Sequence, residues 1–325
     1  MTRKYARREI LIGSAAGAAM LAGRSVATFA SASQAITPLN FDGLNAACDC
    51  HTHIFGDPRR FPFAKERAYT PEPAGIDALQ ALHLALRIYR VVIVQPSVYG
   101  TDNSCTLDAI RRLGPTARGI AVIDDNISTQ SLDELHRAGV RGIRINLETA
   151  GETNPAIARQ RFQTAVQQIK SRNGWHIQMY TRPSVIAVIE DAVSGSPVPV
   201  TFDHFGGVQA ALGMQQPGFD ALLRLLKSGK AHVKLSAPYR SSTQAPDYAD
   251  IAPFARALVA ANPQRALWGS DWPHPQQIAG RSADEITPPY AIDDSRAFKN
   301  FAAWVPDSAR RRMVLVDNPA KLYAF

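Results

Sequence analysis

Four side chains suited to proton transfer and to holding a metal ion or an oxyanion stand at or near the ends of apolar runs that are far apart in the chain: His51 and His53, His204, and Asp271. His51 and His53 sit in Asp49-Cys50-His51-Thr52-His53, and alternate residues of a strand share a face, so the two imidazoles project together. Adjacent imidazoles repel once protonated, so the pair makes sense if a metal ion or a developing oxyanion uses it. His204 follows Val200-Thr201-Phe202. Asp203 beside it is expected, by alternation, to point away into the wall of the fold and to be structural. Asp271 lies between Trp268 and Trp272, where desolvation is expected to raise its pKa and suit it to proton transfer. The alternative is an acid that opens a turn before Pro273. His274, three residues on, is a further candidate.

Cations accompany these groups. Arg144 interrupts the apolar run Gly142-Ile143-Arg144-Ile145-Asn146. Burying a guanidinium there is costly unless it meets an anion, either a substrate carboxylate or sulfonate or a structural acid. Arg240 follows another apolar run, and Arg182 is a weaker candidate. His83, His136, His176 and His232 fall within helical or strand patterns and read as structural.

Eight apolar runs could carry these groups: Ala46 to Cys50, Val91 to Gln95, Gly119 to Ile123, Gly142 to Asn146, His176 to Tyr180, Val198 to Phe202, His232 to Leu235 and Ala266 to Gly269. They are near-continuous in Val, Ile and Leu, as a parallel sheet buried on both faces requires. Helical spacing separates them. Over Ala74 to Tyr89, Ile76, Leu79, Leu82, Leu86 and Tyr89 recur at threes and fours, Ser128 is placed to cap the next segment, and Pro155 opens another. Further helices are expected over Asp220 to Lys227, Tyr248 to Ala261 and Ser295 to Trp304. Eight such units predict a single-domain α/β fold, a (β/α)8 TIM-like barrel over residues 36–325. A doubly wound open sheet is the runner-up, but no glycine-rich phosphate loop follows any run. Phe61, Pro62, Phe63, Tyr69 and Pro71 form a loop that can pack across the barrel mouth, whereas residues 273–293 have no assigned role.

The formal charge is +8, but residues 1–35 hold Arg3, Lys4, Arg7, Arg8 and Arg24 against Glu9 alone. The rest carries a mild excess without basic runs, which speaks against nucleic acid and for a small anionic substrate. The three cysteines, Cys48, Cys50 and Cys105, make no disulfide framework and read as small buried apolar residues. The basic start, the short apolar stretch Ile10 to Ala22 and the small residues near Ala32 and Ala35 read as an export signal cleaved after one of those alanines. Arg7-Arg8-Glu9-Ile10-Leu11 resembles a twin-arginine signal, with an ordinary secretory signal or an uncleaved anchor as alternatives. The mature protein is therefore expected to be periplasmic or secreted, without a stable membrane anchor.

From Cys48 to Tyr323 the chain resembles the amidohydrolase-related family, within it the 2-pyrone-4,6-dicarboxylate lactonase and sulfomuconolactone hydrolase group. The likeness rests on Asp49 to Gly56, Phe61-Pro62-Phe63, Tyr69-Thr70-Pro71, Gly142 to Asn146, Asp203-His204, Leu267 to Pro275 and Asp317 to Tyr323. It implies a distorted (β/α)8 barrel that hydrolyses a lactone ring, with Asp271 activating water and His51, His53 and His204 polarising the carbonyl. Tyr69, Ser97, Arg144, Tyr180, Arg240 and His274 would then hold the anionic groups of the substrate. Two family arginines are replaced here by Ala150 and Gly207, which disfavours a pyrone dicarboxylate. As for cofactors, the resemblance implies either none or one divalent metal ion such as zinc, held by His51, His53, His204 and Asp271. The dicarboxylate lactonases work without metal, whereas the sulfomuconolactone hydrolases contain zinc. Alternatives are a sugar-acid lactone isomerase, a metal-dependent decarboxylase of the same superfamily, against which Tyr180 argues, and a binding protein without catalysis.

Overall fold

The computed structural model describes residues 46–325, so the expected export signal lies outside the described residues. Eight parallel strands form one sheet in the order β1 (Cys48–Thr52), β3 (Arg90–Val94), β4 (Ala117–Ala121), β5 (Val140–Asn146), β6 (His176–Tyr180), β7 (Val200–Phe202), β8 (Ala231–Ser236) and β9 (Ala266–Gly269). Helices lie between them: α1 (Ile76–Leu86), α2 (Ser104–Leu113), α3 (Thr129–Arg137), α4 (Pro155–Ile169), α5 (Pro183–Gly195), α6 (Phe219–Lys227) and α7 (Ala252–Ala261). The α/β barrel read from the sequence is therefore what the chain adopts. Ser128 caps α3 by accepting the Ser131 N–H at 3.0 Å, and Pro155 stands at the start of α4.

The two edges of the sheet meet at their upper ends. The Asp271 N–H donates to the His51 carbonyl and the His53 N–H to the Trp272 carbonyl, each at 2.8 Å. Gly269 makes this approach feasible, because a Cβ there would stand 2.6 Å from the His51 Cβ and 2.8 Å from its backbone nitrogen. Asp49 reinforces the seam by accepting the Ser270 N–H at 2.9 Å and its hydroxyl at 2.5 Å. The register between β1 and β3 shifts between Asp49 and Thr52. Cys48 and Cys50 pack with Val92, Val94, Ile120, Leu267 and Tyr323 of α10 (Asn318–Tyr323). All three cysteines are free and buried.

The long loops at the upper rim are tied to each other. Two short strands, β2 (Thr70–Pro71) and β10 (Ile286–Thr287), pair in parallel, so the loop after β1 and the loop after β9 share one small sheet. Two helices close the chain before α10, α8 (Asp294–Trp304) and α9 (Ser308–Arg312). Among the described residues no helix is long and apolar enough to cross a membrane.

Candidate active site

Strand ends bring the four candidate groups together. The Asp271 Oδ1 atom lies 3.4 Å from Nε2 of His51, 3.3 Å from Nε2 of His53 and 3.9 Å from Nε2 of His204. All four residues are buried. Two of them, and the neighbouring His274, adopt backbone conformations that side chains rarely take. His204, Asp271 and His274 have φ of 48°, 65° and 62°, a region that non-glycine residues occupy at a cost of order 1–3 kcal/mol and that clusters at functional sites.

Each imidazole is held by its far nitrogen. His53 Nδ1 is 2.7 Å from the Val94 carbonyl, which can only accept, so Nδ1 carries the proton and Nε2 presents a lone pair to Asp271. His204 Nδ1 is 2.9 Å from the Ser236 hydroxyl. His51 Nδ1 faces Asp203 Oδ1 at 3.2 Å and Lys234 Nζ at 3.3 Å. Burial pushes His51 down to about 3 and His53 and His204 below the ordinary imidazole range, so all three are neutral near pH 7.

The carboxylate of Asp271 behaves differently from the sequence-based expectation. Burial does push its pKa upward, but Arg240 and the three imidazoles outweigh it and hold the carboxyl well below the usual range. Its second oxygen, Oδ2, is locked by the Tyr239 hydroxyl at 2.6 Å and by Arg240 Nε at 2.9 Å. Tyr239 in turn meets His274 Nδ1 at 3.1 Å, and His274 Nε2 meets Asp294 Oδ1 at 3.1 Å. His274 is fully buried in this chain of contacts and does not line the cavity.

Asp203 also departs from expectation. β7 ends at Phe202, and His204 turns into the left-handed region, so strict alternation stops and both Asp203 and His204 point inward. Asp203 sits under the imidazoles, 3.3 Å from Lys234 Nζ and 3.0 Å from the Gln178 amide, while Lys234 donates to Gln178 Oε1 at 2.6 Å. Arg144 Nε stands 3.8 Å from Asp203, and its Nη1 donates to the Gln95 carbonyl at 3.0 Å.

Above this floor opens a cavity of about 140 Å³, lined by His53, His204 and Asp271 at its base and by Tyr69, Ser97, Arg144, Tyr180 and Arg240 around its wall. Among the described residues, the larger hollows lack this convergence of acid and imidazoles. His51 lies beneath the lining. Burial pushes the Tyr69 phenol up to about 12, which keeps it a neutral donor. The Tyr180 ring stands edge-on to His204, with centroids 4.8 Å apart.

The donor set suits a metal ion. The ligand atoms of His51, His53 and Asp271 all lie within 4.8 Å of one another. His51 Nε2 and Asp271 Oδ1 are buried without a hydrogen-bond partner, an arrangement that a bound cation satisfies. The separations of 3.3 and 3.4 Å match the edge, about 3.4 Å, of a tetrahedron with metal–ligand bonds of about 2.1 Å.

An amidohydrolase family model matches residues 48–325, which covers the whole barrel and every residue of the site. The chain belongs to the amidohydrolase family. It is 34% identical to a 4-sulfomuconolactone hydrolase of Rhizobium radiobacter over 88% of this chain and 92% of the relative. It is 32% identical to a 2-pyrone-4,6-dicarbaxylate hydrolase of Comamonas testosteroni over 85% of this chain and 90% of the relative. Among solved structures, a probable 2-pyrone-4,6-dicarboxylic acid hydrolase from Acinetobacter baumannii with citric acid bound superposes with a TM-score of 0.72 at 26% identity, covering 86% of this chain and all of that one.

Tyr239, Asp203, Lys234, Gln178 and Glu148 join the site without having been read from the sequence as parts of it. Lys234 carried a signal, a lone cation inside the apolar run His232 to Leu235. Tyr239 was overshadowed by its neighbour Arg240.

Proposed function

We propose that this amidohydrolase opens the ring of an anionic lactone by water attack, with Asp271 as the general base. The observation that carries the reading is the two-sided fixing of Asp271: one oxygen locked by Tyr239 and Arg240, the other turned toward three neutral imidazoles at the floor of a cavity that also presents Arg144. The relatives named as lactone hydrolases support the choice of lactone over other ring substrates.

In this mechanism Arg144, Ser97 and Tyr69 seat the anionic group and set the lactone carbonyl above His53 and His204. Water attacks the carbonyl carbon while Asp271 Oδ1 takes one of its protons, and the charge that builds on the carbonyl oxygen is met by His204, whose Nε2–H is free to donate when the Ser236 hydroxyl donates to Nδ1. The tetrahedral centre then expels the ring oxygen, Asp271 returns the proton to it, and a hydroxy- or oxo-acid leaves. The low pKa of Asp271 keeps it ionised before attack, and the oxyanion that develops beside it raises its proton affinity as the reaction proceeds. A divalent ion, zinc being suited to the donor set, would be held by His51, His53 and Asp271 with His204 adjacent, and when bound it supplies Lewis-acid polarisation of the carbonyl.

A panel of carboxylated, sulfonated and sugar-derived lactones, assayed with and without added zinc in ¹⁸O water, tests this. Ring opening with one labelled oxygen in the product, reduced at least a thousandfold by Asp271→Asn, is the expected result. Product without label identifies an isomerase instead, and undiminished turnover by Asp271→Asn removes the assigned base. Metal analysis of protein purified without chelator decides whether full activity requires stoichiometric zinc. We further propose export by a twin-arginine-type signal, which Arg7-Arg8 and the short apolar stretch support; labelling Met1 or Thr2 at the N-terminus of the mature protein would sink it.

A further inference from the structure

Lys234 is a fully buried cation in β8 that does not line the cavity. An ammonium in a barrel interior is costly unless opposite charge and hydrogen bonds compensate it. Its Nζ donates to Gln178 Oε1 at 2.6 Å and lies 3.3 Å from both Asp203 Oδ1 and His51 Nδ1. Those two atoms are 3.2 Å apart, so Nζ makes a nearly equilateral triangle with them. Among the described residues two sets of side chains are placed to hold a metal ion, and both contain His51. One is His51, His53 and Asp271, with Asp271 on the Nε2 side of the ring. The other is His51, Asp203 and His204, with Asp203 on the Nδ1 side. In this second set the ligand atoms also lie within 4.8 Å of one another, and the 3.2 Å separation is close to the edge of a tetrahedral zinc site, about 3.4 Å. Asp203 Oδ1 is buried and accepts no hydrogen bond, so charge alone balances it. The ammonium stands against this pair of atoms, where a metal ion would otherwise be held.

We propose that Lys234 is a tethered monocation filling the position defined by His51, Asp203 and His204, and that it limits the centre to at most one divalent ion. Two effects act together. The ammonium neutralises Asp203, and a divalent ion entering beside it would meet a like charge in a dry interior, where repulsion is strong. The position is thus a latent metal site that opens once the ammonium is removed. Its occupancy depends neither on the reaction catalysed nor on whether His51, His53 and Asp271 carry an ion of their own. A lysine that served only to support the fold would leave the metal content of the protein unchanged when it was lost.

The test counts zinc. The native protein, Lys234→Ala and Lys234→Ser are each produced with excess zinc, freed of loose ions by gel filtration, and measured for metal per chain by elemental mass spectrometry. Either variant is expected to carry about one zinc more than the native protein, and Lys234→Ala/Asp203→Asn to lose that gain. Thermal melts in chelator and in zinc supply a second readout. Each single variant should melt lower than the native protein in chelator, and zinc should raise its Tm by more than it raises that of the native protein. Variants that carry no more zinc than the native protein overturn the proposal, as does a native protein that already carries two ions. So does a gain that survives Asp203→Asn. Failure of both single variants to fold even with zinc present also overturns it, because a divalent ion in this position should replace the charge that was removed.

Discussion

Removing the Tyr239 hydroxyl separates the orientation of the base from the binding of substrate. The phenol donates to Asp271 Oδ2 at 2.6 Å and contacts His274 at 3.1 Å, yet it does not line the cavity. A buried hydrogen bond to a charged acceptor is worth about 1.5–3 kcal/mol. In Tyr239→Phe the ring still fills its place and Arg240 still holds Oδ2 at 2.9 Å, so the carboxylate stays ionised but swings more freely about one remaining anchor. If most of the lost energy is realised in the transition state, kcat falls about tenfold to hundredfold. KM should stay within about twofold. Loss of a donor to the charged form also raises the Asp271 pKa, so the acid limb of the kcat profile moves to higher pH. Steady-state kinetics on any lactone the protein opens, followed from pH 9 down to about pH 3 with thermal melts as a folding control, provides the assay. A tenfold rise in KM with kcat unchanged would mean that Tyr239 touches substrate. Unchanged values of both would mean that Asp271 does not depend on this anchor, and the two-sided fixing of the base would have to be abandoned.

Other outcomes follow from the same geometry. Gly269→Ala places a methyl against the His51 backbone and should cost about 1–3 kcal/mol of stability, with a larger proportional loss of kcat; native-like kcat in a folded variant contradicts the tight-seam account. Arg144→Gln should raise KM about tenfold to hundredfold for an anionic lactone and little for a neutral one, measured on a matched pair. Stability should fall in acid, because burial holds His51, His176 and His232 at about 3, against about 6.5 when unfolded. Their contribution is complete above about pH 6.5 and is lost as pH falls toward 3, at about 2 kcal/mol per imidazole by pH 5. Urea unfolding at pH 7 and pH 5 checks it, and equal midpoints would refute it.

Much of the site was legible because strand alternation and burial costs speak locally. His51 and His53 share a face as their spacing requires, and Arg144 in an apolar run did mark a cation turned toward the cavity. What failed was set by backbone conformation or by distant partners. Alternation alone places Asp203 outward, because nothing in Phe202-Asp203-His204 announces that His204 adopts φ of 48° and breaks the pattern. The Asp271 carboxyl was expected to titrate high from its aromatic neighbours, whereas Arg240 and the imidazoles arrive from other strands. His274 follows Asp271 closely enough to suggest substrate contact, but its ring turns to Tyr239 and Asp294. The rim pairing of β2 with β10 joins segments more than two hundred residues apart, beyond the reach of any local pattern.

The backbone amide of Asp271 and the backbone carbonyl of His51 also form the joint between the first and last strands of the barrel. Catalysis and circular integrity thus share the same few atoms. Any stress that parts this joint, whether heat, denaturant or a mutation on the far side of β9, should silence turnover while the helices still register as intact. Activity in such a protein serves as an early gauge of whether the ring is whole.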